Sequence, residues 1–338
     1  MDNLTHSLTG ILLARAGLNR LAPHATALAV VSSNLPDLDF LALAFGPAAH
    51  LTYHRGFTHS FAFLPLIAAL PLPLWFLYAR RRHALTSRHW LSAAAISACC
   101  VFIHLLTDGL TDYGTRLLLP FASTWYHADV LPLFDLWLWA ALLLCVHGPM
   151  LARLVYGEIG ARTGSGRGMA FLGLLLFLSL TCARFYFHAQ SSAQLSTRLY
   201  AGQAPIRSLL LPRPWSPLSW TALVETSTAW HVIPIHSLTE FDPVSGQAFY
   251  KADATAVRAS VSATRSAQVF LAFTQAPLWR ITPASAPDGA VLVNIYDLRF
   301  GLPEDGAFAA RFLVASGGRV LSESITLGRA PSPSSAGR

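Results

Sequence analysis

The sequence predicts a mainly α protein: a polytopic helical membrane domain carrying a metal site (residues 1–190), then a small α+β extramembrane domain (191–329) and a disordered tail (330–338). Three observations predict it. Charged residues make up 12% of the chain and hydrophobic ones 53%, where soluble domains carry about 25% charge. Apolar runs near the length of a bilayer-spanning helix recur up to His188. Beyond Ser191 the composition changes to shorter alternating runs with proline punctuation.

The runs follow in order. Leu4 to Leu18 is apolar but short: about 15 residues at ~1.5 Å each reach roughly 22 Å, less than a hydrocarbon core. Thr26–Phe45, Ser60–Ala79, Trp90–Thr107, Leu133–Tyr156 and Gly168–His188 are each long enough, or nearly so, to span. Arginines alternate between the connections. Arg15 and Arg20 follow the first run, Arg80, Arg81, Arg82 and Arg88 the third, and Arg153, Arg162 and Arg167 the fifth, while the opposite loops hold mainly Arg55 and Arg116. The arginine-rich side is expected to be cytoplasmic. The N-terminus and everything after about His188 then face outward from a bacterial cytoplasmic (inner) membrane.

After Ser191 the strand-like runs Ala229–Ile235 and Ala290–Tyr296 are punctuated by turn signals at Asp242-Pro and Asp288-Gly, and Lys251–Phe273 is expected to be helical. The net charge of +7 is spread over loop clusters and forms no basic stripe, so no nucleic-acid partner is expected. The four cysteines lie inside apolar segments without a CxxC and read as small buried hydrophobes. No basic segment, apolar core and cleavage site open the chain, so no removable signal peptide is expected.

The acids carry the chemistry. Asp2, Asp37, Asp39, Asp108, Asp112, Asp129 and Asp135 all fall at the outward ends of their runs, with Glu158 on the other side. His6, His54, His59, His104 and His127 join them. Ionisable groups near hydrocarbon cost several kcal/mol each unless compensated, so their convergence points to function, and a bound cation offsets the cost. His104-x-x-x-Asp108 puts an imidazole and a carboxylate one turn apart on a helix face, and Asp112 continues the stripe if the helix survives Gly109. Asn34-Leu-Pro-Asp-Leu-Asp39 places two carboxylates around a proline that can turn both inward. His54-Arg-Gly-Phe-Thr-His-Ser60 adds two imidazoles, a cation and a flexible glycine. Taken singly, each has a plainer reading: a structural His–Asp hydrogen bond, a capping aspartate, or a headgroup-level histidine.

Thr5-His6, Asn34-x-Pro-Asp-x-Asp39, His54-Arg-Gly-x-Thr-His-Ser60, His104-x-x-x-Asp108 and Asp112-Tyr-Gly-Thr115 together resemble the YdjM/YbcI-type membrane-bound metal-dependent hydrolases over roughly Met1–Phe187. That family is in turn remotely similar to zinc-dependent phospholipase C. The resemblance implies a helical site with His and Asp ligands and phosphoester chemistry. Carried onto this chain, the ligands are His6, Asp37, His54, His59, His104 and Asp108, with Asp39 and Asp112 next in line.

The expected activity is metal-assisted hydrolysis with zinc, or else manganese or iron. Asp39 or Asp112 is the expected general base and Arg55 the group that holds a phosphate oxygen. A site at the outer interface implies a lipid or other amphiphilic substrate reached from the bilayer. Three alternatives stand beside it. An intramembrane metalloprotease should show a glutamate base as in His-Glu-x-x-His, which is absent. A structural metal with a partner-binding C-terminal domain needs no catalysis. A transporter should trace its acids across the bilayer rather than gather them at one end.

Overall fold

A computed structural model describes residues 1–158, 166–252, 255–306 and 308–328; Arg162 and the expected tail 330–338 lie outside them. The first helix, α1 (Asn3–Ala16), starts where Asp2 accepts from the Thr5 amide at 3.0 Å, an N-cap that satisfies one orphan donor. The same carboxylate receives Trp139 Nε1 at 3.1 Å and so ties the start of α1 to a later helix.

Two of the expected spans are broken. After α2 (Ala25–Asn34), Pro36 removes an amide donor and the chain turns through 43° into a 3-10 segment, Pro36–Phe45. Next, α3 (Pro47–Tyr53) and a 3-10 turn at Phe57–His59 run at 80° to α4 (Leu64–Ala69) and α5 (Leu72–Ala79), with prolines at 65, 71 and 73 around the breaks. Among the described residues three helices are long and apolar enough to cross a bilayer: α6 (Ser87–Gly109), α7 (Leu136–Glu158) and α8 (Arg167–Ser196). Counting each bent pair as one span gives five. With 14 residues, α1 falls short of a span.

Contacts sort the helix ends into two levels. Met1, Asp37, His59, Asp108, Asp135 and Arg184 belong to one level, joined through the Asp108 and Asp135 carboxylates and the Asp2–Trp139 bond. At the other, Arg15 donates to the Val146 carbonyl, Arg167 to Ala16 at 2.7 Å and Trp75 to Pro23 at 2.7 Å. Close packing sets these positions. At Gly10 an added Cβ would stand 2.7 Å from Ser33 Oγ and 3.1 Å from the Ala29 carbonyl, so only glycine lets α1 lie this near α2. At Gly173 a Cβ would meet Leu12 and Cys145 at 2.8 and 2.9 Å, which lets α8 close on α1 and α7. The helical core so formed holds Leu8, Leu12, Leu138, Leu142 and Phe177.

The C-terminal region consists of two antiparallel four-stranded meanders. The first is β1 (Arg207–Arg213), β2 (Ser216–Glu225), β3 (Ala229–His236) and β4 (Gln247–Tyr250); the second is β5 (Pro277–Pro283), β6 (Val291–Asp297), β7 (Phe308–Val314) and β8 (Val320–Leu327). Between them lie α9 (Thr255–Ser262) and α10 (Arg265–Phe273), two short helices where one was expected. Alternating burial puts Leu211, Leu223 and Trp230 of the first sheet against Leu278 and Tyr296 of the second. The first sheet packs on Leu195 of α8, and the second, with α10, on Leu51 and Tyr113. The β region thus rests on the end of the helical bundle where the acids collect.

Candidate metal centre

Four side chains converge at that end. Asp37, His59, His104 and Asp108 each present a ligand atom, and these atoms lie within 4.8 Å of one another. His59 Nε2 stands 3.4 Å from Asp37 Oδ1, 3.3 Å from Asp108 Oδ2 and 3.1 Å from His104 Nε2. His104 Nε2 is 3.7 Å from Asp37 Oδ1 and 3.6 Å from Asp108 Oδ2.

The local structure explains why they meet. His104 and Asp108 share one face of α6, one turn apart. Asp37 comes from the 3-10 segment after Pro36. His59 closes the short 3-10 turn that follows Gly56, where an added Cβ would press on the Tyr53 carbonyl at 2.8 Å.

Hydrogen bonds orient both imidazoles. His104 Nδ1 is 2.7 Å from the Ser33 carbonyl, which can only accept, so Nδ1 carries the proton and Nε2 presents its lone pair to the group. His59 Nδ1 is 3.1 Å from Asp39 Oδ2, the carboxylate–histidine arrangement that fixes metal-binding rings.

These residues fit a metal ion. Two imidazole Nε2 atoms 3.1 Å apart repel unless something positive lies between them. Bonds of about 2.0–2.1 Å to a tetrahedral ion give edges of about 3.3–3.4 Å, close to the spacings above. Among the described residues, Asp37 Oδ2 and Asp108 Oδ2 are buried without a hydrogen-bond partner, although Arg55 Nη2 stands 3.2 Å from the latter. Mixed nitrogen and oxygen donors suit zinc, and also manganese or iron.

The other residues singled out by sequence surround this group. His6 lies beside it: its Nε2 is 3.1 Å from Asp108 Oδ1 and its ring stacks on His104 at 3.9 Å. The Met1 amino group contacts the same Asp108 oxygen. His54 stands one step further out, its Nδ1 2.6 Å from Asp39 Oδ1 and its ring stacked on His50 at 4.4 Å. Asp39 also accepts from the Arg55 amide at 2.9 Å and from the Thr58 hydroxyl, so both its oxygens are committed to holding the His54–His59 loop. Arg55 has φ 51°, a left-handed conformation uncommon outside glycine, and is buried. Nη1 donates to Thr111 Oγ1 at 3.0 Å, and the guanidinium lies 4.8 Å from the Tyr113 ring centre.

Because α6 ends at Gly109, Asp112 leaves the His104–Asp108 stripe and faces a different cavity. Burial, then the neighbouring Asp129 carboxylate, raises its pKa from 3.8 to about 6. The Ser33 carbonyl and Thr111 carry no chemical signature of their own in the sequence, and Thr58 was visible only as part of the His54–Ser60 string. Tyr113 was in plain view inside Asp-Tyr-Gly-Thr.

A cavity of about 570 Å³ opens beside the group, within the usual range for ligand sites. Asp37, His54, Arg55 and Tyr113 line its inner part. Leu38, Phe40 and Leu41 form its rim and are 56%, 54% and 68% exposed.

The family model described as the YdjM inner membrane protein matches residues 1–191, more than half of the 338-residue chain. Among curated proteins, the "Uncharacterized protein YfhP" of Bacillus subtilis (strain 168) is 29% identical over 146 residues, covering 40% of this chain and 42% of that relative. The match thus spans less than half the length of the relative. No solved structure matches. The chain belongs to the YdjM inner membrane protein family.

Proposed function

From that membership and the geometry of the four-residue group, we propose that the protein is a membrane-bound metal-dependent hydrolase that cleaves a phosphoester of a lipid or other amphiphilic substrate. The observation that carries the reading is the conjunction of a buried Asp/His quartet, a buried arginine and a cavity with a polar floor and an apolar rim.

Asp37, His59, His104 and Asp108 would hold the ion, zinc before manganese or iron. When bound, the ion supplies Lewis-acid stabilisation of developing charge and lowers the pKa of water. Arg55, whose Nε is buried without a hydrogen-bond partner among the described residues, turns toward a phosphate oxygen in the cavity it lines. His54 donates Nδ1–H to Asp39, which leaves Nε2 to take a proton from the attacking water and return it to the leaving oxygen. Asp39 fixes the tautomers of both His54 and His59. Leu38, Phe40 and Leu41 admit acyl or polyprenyl chains from the bilayer and keep bulk water away. The expected cytoplasmic placement of the arginine-rich end puts this site, with the C-terminal region, at the outer face.

A protease reading lacks its base, since the quartet contains aspartate and histidine alone among the described residues. The test is a metal assay followed by a lipid screen. Purified protein is expected to carry tightly bound zinc, manganese or iron and to release phosphate or a phosphorylated headgroup from some lipid phosphomonoester or phosphodiester. Bound metal with no turnover across both classes would reject hydrolysis and leave a structural ion.

A further inference from the structure

A second cavity of about 650 Å³ lies where the helical region meets both β sheets. We propose that it is a subsite for a hydroxyl-rich headgroup, a glycosyl unit, borne by the same amphiphile whose phosphoester faces the metal quartet. The link to a phosphoester rests on the hydrolase reading above; the headgroup chemistry does not.

Its position comes first. Leu133 and Phe134 line both cavities, so the two are separated by one short stretch of the connection between α6 and α7. Asp112 likewise lines the second cavity while the next residue, Tyr113, lines the first. A molecule anchored in the bilayer with its ester at the quartet would extend its solvent-side end past Phe134 into this space.

The lining decides the chemistry. Asp112 Oδ1 is buried and accepts no hydrogen bond among the described residues. Asp305 offers a second carboxylate. The Arg299 guanidinium is already neutralised by Asp297, with contacts of 3.2, 3.1 and 2.7 Å. Arg213 therefore supplies the remaining cation, 5.4 Å from the Trp215 ring centre. An anionic headgroup would meet two carboxylates against one arginine.

A neutral polyol suits the set better. Its hydroxyls donate to Asp112 and Asp305 and accept from Arg213, while its C–H face lies on an aromatic ring. Trp215 is 58% exposed at the edge of the cavity and offers such a face. Its backbone carbonyl is held by Trp137 Nε1 at 3.0 Å, so the loop is anchored independently of the ring.

The test reads binding and needs no turnover. Full-length protein in nanodiscs of phosphatidylethanolamine and phosphatidylglycerol is titrated calorimetrically with hexyl β-glucoside, hexyl phosphocholine and glucose, with empty discs as the blank. Hexyl glucoside is expected to bind saturably and more tightly than the other two. Trp215→Ala and Arg213→Gln, both at accessible side chains, are each expected to weaken it by about tenfold, roughly one lost stacking or polar contact. Neither should alter metal content. Unchanged affinity in both variants, or hexyl phosphocholine binding as tightly, would overturn the glycosyl assignment. Equal binding of glucose and hexyl glucoside would overturn its lipid-borne source. Failure of the lipid screen alone would remove the hydrolase reading and leave this result in place.

Discussion

Arg299 of the C-terminal region donates Nη1–H to the carbonyl of Asp112 at 2.8 Å. Its other donors reach the Phe273 carbonyl and the Asp297 carboxylate. One guanidinium thus joins the second sheet, α10 and the loop after α6. That loop carries Thr111, which holds Arg55, and Tyr113, which lines the cavity beside the quartet. The β region is built into the wall of the site.

Removing this guanidinium is therefore expected to be costly. Arg299→Ala leaves Asp297 buried without its partner, and breaking a buried pair in this way costs about 3–5 kcal/mol. Thermal unfolding in detergent checks it. Arg299→Lys keeps the charge but loses the fork, and should fall between the two.

The quartet makes a separate prediction about metal. His104→Ala and Asp108→Asn are each expected to abolish tight zinc binding while the protein still inserts. His54→Ala should keep the full zinc content and lose about 10²–10⁴-fold in rate, the usual share of acid–base catalysis. Elemental analysis alongside a lipid assay separates the two classes. A His54→Ala protein stripped of zinc would place His54 among the ligands after all.

Asp39 is expected to behave differently from both. Asp39→Asn still accepts on one atom but loses the charge that fixes His54 and His59. Loss of such an outer partner lowers metal affinity by about 10–100-fold. Competition with a graded series of chelators measures it, and wild-type affinity would show that the His59 ring is held by Thr58 alone.

A second buried ion pair should matter as much as Arg299. Arg184 Nη2 lies 2.8 Å from Asp135 Oδ2, with both side chains fully buried. Asp135 also accepts from the Trp137 and Leu138 amides at 3.0 Å and so starts α7. Arg184→Ala is expected to destabilise the helical region by about 3–5 kcal/mol. Asp135→Asn in the same background should recover part of it, since the cap survives and the lone charge is gone. Chemical denaturation of the single and double variants gives the coupling.

Asp112 sets a pH dependence. With its pKa raised from 3.8 to about 6 by burial and then by Asp129, the folded chain binds a proton that the unfolded chain has released between those values. This contribution to stability is full below about pH 4 and lost as pH rises through 6, on the order of 3 kcal/mol. Asp112→Asn should flatten that part of the stability curve. Identical wild-type and variant slopes between pH 4 and 7 would mean that Asp112 is ionised throughout.

Much of the helical region was legible in the sequence because its signals are local. The i, i+4 pair His104–Asp108 needs only a helix, and the His54–Ser60 string and Pro36 announce a break rich in ligands. What was less legible is long-range. Thr26–Phe45 has the hydropathy of a span, yet its path turns 43° where Pro36 follows Asn34. Ser60–Ala79 is interrupted at Pro71, and an 80° turn lies at its start, between His59 and Leu64. Hydropathy is blind to each of these breaks. Asp39 and Asp37 are equivalent in sequence, two residues apart; only the fold decides that one faces the quartet and the other the backs of the rings. Asp112 left its stripe because α6 ends at Gly109. Nothing in the sequence connects Arg299 to residue 112, since their contact is made by two packed regions 187 positions apart.

The packing of Tyr113 against Phe273, ring centres 4.8 Å apart, orders events in time. The ribosome has delivered Asp37, His59, His104 and Asp108 well before it reaches α10 and the second sheet. Domains fold broadly in the order of their synthesis. The nascent chain can therefore gather these four side chains while the side later covered by Phe273 and Arg299 is still open. Formation of α10 and the second sheet then covers Tyr113 with Phe273.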